Sequence, residues 1–198
     1  MCRVIPKLRA RTAVLTILDN PRSVAEDLDV TDDELILATR ARVAGRGLPG
    51  PASAKDVAGF ERIVGHPMPE LLKRIYLEVA NGGFGPSRVL SLTDTGNWFS
   101  DRADIAMAYH DFAADPDHSL PPGVVPLMDR GCAMWALIDF RTADGQMWDW
   151  DPNLCCLQHA LAPLEQSLAQ WLTDWLHGVM PDEPYSHREL SSRDCPHW

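Results

Sequence analysis

The stretch RTADGQ at 141–146 limits the possible folds of this chain more than any other. Asp144-Gly145 supplies the residue types that accept the backbone of a tight hairpin turn. Apolar and aromatic runs flank it, and 124–128, 133–140 and 146–150 read as three successive strands. Strands joined by connections this short pair antiparallel. Alternation along the third places Met147 and Asp149 on one face and Trp148 and Trp150 on the other.

The rest of the chain has helical spacing. TDDE at 31–34 fits a capping box, with Thr31 and Glu34 exchanging bonds across the first turn. Ser53 and Asp56 repeat that spacing before Val57, Phe60 and Val64. Leu71, Leu72, Ile75, Tyr76 and Val79 mark another helix from Glu70, and 101–113 a further one lined by Ile105, Ala108, Tyr109 and Phe112. Leu168, Trp171, Leu172, Trp175 and Leu176 form the last apolar stripe, closed by Gly178. RVLSLTD at 88–94 reads as a short additional strand. GRGLPGPAS at 45–53 reads as a linker. Residues 1–50 are therefore expected to form a helical N-terminal extension, 51–180 an α+β domain, and 181–198 a flexible polar tail. Within the domain we expect a small antiparallel sheet with helices packed on one face.

YLEVANGGFG at 76–85 gathers glycines as a phosphate-binding loop does. Such a loop runs from a strand into a helix whose free amides face the anion. Here the glycines follow a helix, and no Lys-Ser/Thr pair or dinucleotide spacing accompanies them. Asn81, Gly82 and Gly83 instead read as a helix cap, with Phe84 folding back on the last turn.

Charge narrows the choice of partner. Residues 94–151 hold eleven acidic and three basic side chains, and the whole chain carries −10. An acidic surface repels nucleic acid and anionic lipid and steers basic partners inward. Five cysteines, at 2, 132, 155, 156 and 195, show no framework spacing, as in a reducing compartment. The apolar run AVLTIL is too short for a signal peptide or a membrane span, so a cytoplasmic protein with no membrane association is expected.

Two long stretches, MPELLKRIYLEVANGGFGPSRVLSL (68–92) and PLMDRGCAMWALIDFRTADGQMWDWDPN (126–153), together with SLAQWLTDWLHG (167–178), resemble the SUKH superfamily. Its members include bacterial immunity proteins related to the fungal Smi/Knr cell-wall regulators. The segment from Ile75 to Gly85 carries the likeness most specifically; after it the chain departs from the family's further glycines with Ser87 and Arg88. The resemblance implies an α+β interaction module without catalysis or cofactor, in many members one that neutralises a toxin domain.

Catalytic constellations are weaker. In CCLQH, Cys155, Cys156 and His159 lack the paired spacing that lets ligands converge on a metal. Cys132 and His110 have no nucleophile signature around them. Asp149 and Asp151 are spaced for paired-carboxylate chemistry, which keeps a hydrolase as one alternative. A regulatory scaffold like the fungal relatives is another. The leading expectation is a protein-binding surface built from Asp129, Asp139, Asp144, Trp148, Asp149, Trp150 and Asp151. Its partner would be a basic toxin domain, held by charge and aromatic contacts.

Overall fold

A computed structural model describes residues 30–115, 120–154 and 159–179. They form an α+β fold. Helices α1 (Asp32–Val43), α2 (Ala54–Val64), α3 (Glu70–Glu78) and α4 (Ile105–Ala114) precede strands β1 (Val124–Gly131), β2 (Met134–Asp139), β3 (Gln146–Trp150) and β4 (Leu161–Ser167). Helix α5 (Leu168–Leu176) follows directly. The four strands make one antiparallel sheet in chain order.

Caps set the helix starts. Thr31 accepts from the Glu34 amide at 3.4 Å and Glu34 accepts from the Thr31 amide at 3.1 Å. Ser53 and Asp56 make the same exchange at 3.2 and 3.1 Å, and Ser167 and Gln170 at 3.3 and 2.9 Å. Each box satisfies amides that the first turn leaves without partners. The third box was not read from sequence because Ser167 also ends β4, so strand and helix share a residue.

The sheet follows the hairpin signal. Trp135 pairs with Trp150, Leu137 with Trp148 and Ile138 with Met147 across β2 and β3. Gly145 turns the chain at φ 65°, and a β-carbon there would stand 2.9 Å from Ile138 Cδ1. Between β1 and β2, Cys132 and Ala133 form the turn, both with positive φ, as a two-residue hairpin loop demands.

Two readings need correction. Residues 88–94 are not a strand. Val89, Leu90 and Leu92 are apolar because they are buried, but their amides go to Phe84 O, Leu127 O and Asn81 Oδ1, not to a ladder. The fourth strand, β4, was unread: LAPLEQS has no clean alternation and contains a proline, which an edge strand accommodates.

All six residues of β2 are buried, so both of its faces are covered. Phe60 of α2 packs edge-on against Phe140 and Tyr109, and Phe112 of α4 packs edge-on against Trp135 and Trp150. Helix α1 joins the same core through Leu35, Ile36, Ala38 and Val43. Arg40 ties it to the Glu78 carbonyl of α3 at 2.8 Å, and Asp33 to Arg74 at 2.7 Å. The stripe of α5 is buried along its length, from Leu168 to Leu176.

Tyr76 is buried at the centre of this core and donates to the Leu90 carbonyl at 2.7 Å. Burial pushes its phenol well above the usual range. Stability from this group is therefore intact below the ordinary phenol pKa of about 10 and is lost as pH rises above it. We expect urea denaturation to show wild type losing about 1 kcal/mol per pH unit above pH ~10 relative to Tyr76→Phe. At neutral pH the variant should be about 1 kcal/mol less stable, from the carbonyl left without its donor. Parallel alkaline profiles would contradict this account.

Candidate protein-binding surface

The seven residues expected at a binding surface are not presented together. Trp150 is 6% exposed, beneath the Phe112 ring. Asp139 and Asp151 are each 3% exposed. Asp149 lies against Arg130, whose side chain is buried, and is bonded to its guanidinium. Asp129 is half-buried and accepts from the Gly131 amide at 2.8 Å. Trp148 is half-buried, paired with Leu137 on one side and Pro163 on the other. Asp144 alone among these five aspartates stands exposed.

A common local device accounts for most of these positions. Asp129, Asp139 and Asp151 each accept the backbone amide two residues ahead, at 2.8, 2.9 and 2.9 Å. This is the turn that an aspartate makes with its own chain. Asp139 adds two bonds from Arg141, from Nε at 2.8 Å and from the terminal guanidinium nitrogen at 2.6 Å. Burial works to raise its carboxyl, but the hydrogen bonds and charge of Arg141, with the charge of His66, outweigh burial and hold it below the usual carboxylate range. Asp151 also takes the Asn153 amide group at 3.0 Å. Three of the five candidate aspartates are thus engaged in local turns of the sheet.

Asp149 and Asp151 do not form an open carboxylate pair. One is bonded to Arg130 and the other is enclosed by its turn with Asn153. Cys132 is exposed in the β1–β2 turn, where its carbonyl accepts Asn153 Nδ2 at 2.8 Å. Cys155 and Cys156 lie outside the described residues, as do 1–29 and 180–198. Among the described residues no three His, Cys, Asp or Glu side chains gather as metal ligands, and no helix is long and apolar enough to cross a membrane.

What remains open is a cleft of about 590 Å³ between the β2–β3 hairpin, β4 and the start of α5. Asp144 and Glu165 both line it, both exposed, beside Gln146 and Gln170. Among the described residues no lysine or arginine lines the cleft. Leu168 N donates to Asp144 O and Gly145 O, which fixes the hairpin tip against the first turn of α5. Gln146 Nε2 reaches the Leu164 carbonyl at 3.3 Å and ties the hairpin to β4. Two carboxylates on a braced rim can receive basic side chains with little ordering cost. Glu165 escaped the sequence reading because its strand did.

Asn81, Gly82, Gly83 and Phe84 follow α3. Asn81 is buried, accepting from Leu92 N at 2.8 Å and donating to Thr93 Oγ1 at 3.0 Å. Gly82 and Gly83 have φ of 92° and 80°, and Phe84 lies edge-on to Tyr76 of α3 at 5.4 Å. These residues hold the 88–94 segment in place, and the Asn81 and Gly83 amides donate to Gly50 O and Val89 O at 3.0 and 2.8 Å.

The family model described as SMI1 / KNR4 family (SUKH-1) matches residues 51–175, well over half of the chain. No curated protein and no solved structure matches.

Proposed function

The chain belongs to the SMI1/KNR4 family (SUKH-1), a family of protein-interaction modules, and on that premise we propose that it is an immunity protein that binds and neutralises a cognate bacterial toxin domain. The observation that carries this reading is the family match, which spans the loop after α3, the whole sheet and nearly all of α5. The interacting unit is the domain at 51–180, with the preceding extension packed beside it through α1. The protein acts in the cytoplasm of the cell that makes it, by occlusion and without a chemical step of its own.

Charge suggests the kind of toxin. A chain carrying −10 attracts basic surfaces over distances up to about a Debye length, ~8 Å at physiological salt. A nuclease domain fits, since the groove that binds phosphates is positive. Asp144 and Glu165 are the residues placed to meet its lysines or arginines. Such contacts raise the encounter rate and fix orientation, while apolar contacts around them slow release.

Co-expression with the product of the neighbouring gene tests the reading. Growth should be restored by the wild-type chain, and the purified pair should associate. The double variant Asp144→Lys, Glu165→Lys should bind about a hundredfold more weakly, with a flatter salt dependence. A neighbouring product that is neither toxic nor bound would sink the immunity role. Unchanged affinity and salt slope in the double variant would remove the cleft from it.

A further inference from the structure

A second cleft, about 570 Å³, has the opposite chemistry. It lies between the α1–α2 connection, the Gly83 loop and the loop at 94–99. Arg46 and Arg88 line it, both exposed, and neither guanidinium makes a hydrogen bond or ion pair with a described residue. Among the described residues no acidic side chain lines it. Trp98 stands beside them, 59% exposed.

Three further observations indicate that the site is built rather than incidental. Trp98 Nε1 donates to Asp94 Oδ1 at 3.0 Å, and the same oxygen accepts the Gly96 amide at 2.8 Å. The polar edge of the indole is thus satisfied from behind while its faces stay open to a guest. Gly83 closes one side: a β-carbon there would lie 2.7 Å from both Leu48 Cδ2 and Phe99 Cζ. Arg88 holds φ 69°, a left-handed conformation that glycine adopts without penalty.

We propose that this cleft binds an acidic segment of a protein partner. Its carboxylates pair with Arg46 and Arg88, and an adjoining apolar side chain lies on the Trp98 face. Arginine and tryptophan are the side chains most enriched at interface hot spots, and guanidinium–carboxylate bonds are the strong, directional ones. A nucleic acid is the poorer guest: a polyanion meets the repulsion of the whole chain, whereas a short segment brings only a few charges. The inference rests on the reading that the chain acts by binding proteins, but not on the partner being a toxin.

The test is a nitrogen-15 NMR titration of the full chain with the synthetic peptide acetyl-Asp-Glu-Leu-Asp-Glu-amide. Separate titrations use its Asn/Gln counterpart, inorganic phosphate and oligothymidylate. The Trp98 indole signal, identified by its loss in Trp98→Phe, and the Gly47, Gly83 and Gly96 amides should shift and saturate by about 1 mM acidic peptide. Arg46→Ala with Arg88→Gly should weaken binding about tenfold or more. Arg88→Gly also relieves the left-handed backbone, so lost affinity with equal or higher thermal stability cannot be blamed on misfolding. The proposal is overturned if no shift appears by about 10 mM, if the uncharged peptide binds equally well, or if phosphate or oligothymidylate saturates these signals first. No toxin enters this experiment, so it can fail while the co-expression result stands, and the reverse.

Discussion

Gly82→Ala is expected to cost about 4 kcal/mol and to lower the melting temperature by about 10 °C. Two separate penalties add up to that figure. At φ 92° an alanine is strained by about 1–2 kcal/mol. Its β-carbon would also stand 2.8 Å from Ser91 N and Oγ and 2.9 Å from Leu90 C. These are largely backbone atoms, and the backbone there is fixed from several sides. Leu90 N donates to Leu127 O at 2.9 Å, Tyr76 donates to Leu90 O at 2.7 Å, and Ile105 N donates to Ser91 O at 2.9 Å. Relief would require breaking buried bonds, so overpacking adds about 1–3 kcal/mol. Gly65→Ala is the control: its φ is 79°, yet nothing lies within 4 Å of its added carbon. It should lose only the backbone share. Equal melting points for the two variants would show that contact with 90–91 contributes nothing.

The same loop marks the boundary of what a sequence discloses. Asn81-Gly82-Gly83 is recognisable as a place where the chain must reverse, because those residue types tolerate positive φ. It cannot be seen from residue types that the two glycines serve different neighbours. Gly82 admits the backbone at 90–91, and Gly83 admits Leu48 and Phe99 from two other connections. The hairpin at 144–145 and the stripe of α5 were legible because each is a local pattern carrying its own period. Segment 88–94 was misread as a strand because burial, not pairing, made it apolar. Strand β4 was missed for the converse reason, as an edge strand whose side chains are mostly half-exposed.

The acidic strip is a subtler case. Negative charge along 94–151 is plain in the sequence, but its spending is not. Asp94, Asp129, Asp139 and Asp151 each accept an amide two residues on. Residue type alone could have suggested this, since an aspartate readily hydrogen-bonds its own backbone two residues on. The Arg130–Asp149 bond could not, because it joins positions nineteen apart across the sheet. Arg46, Arg88 and Trp98 are likewise scattered along the chain, with nothing local to announce that they share a cleft.

Trp171→Ala should be the most damaging side-chain truncation, at about 3–5 kcal/mol. Trp171 is 1% exposed, and its ring edge lies 2.9 Å from where a β-carbon of Gly85 would be, so the indole packs directly on the loop after α3. Removing it leaves a cavity between α5 and that loop, which the bonds around Gly82–Leu92 prevent from collapsing. Trp148 supplies the contrast. Its indole Nε1 is buried without a hydrogen-bond partner among the described residues. Trp148→Phe deletes that unsatisfied donor along with some packing, and the two effects oppose each other to within about 1 kcal/mol. Denaturant midpoints of the two variants measure the difference directly, and similar losses would contradict the roles assigned. Composition alone makes all tryptophans look like hot-spot residues. Among the described residues burial divides them: Trp171 holds α5 to the fold, and Trp98, with its edge tied down and 59% exposed, is the one open to another molecule.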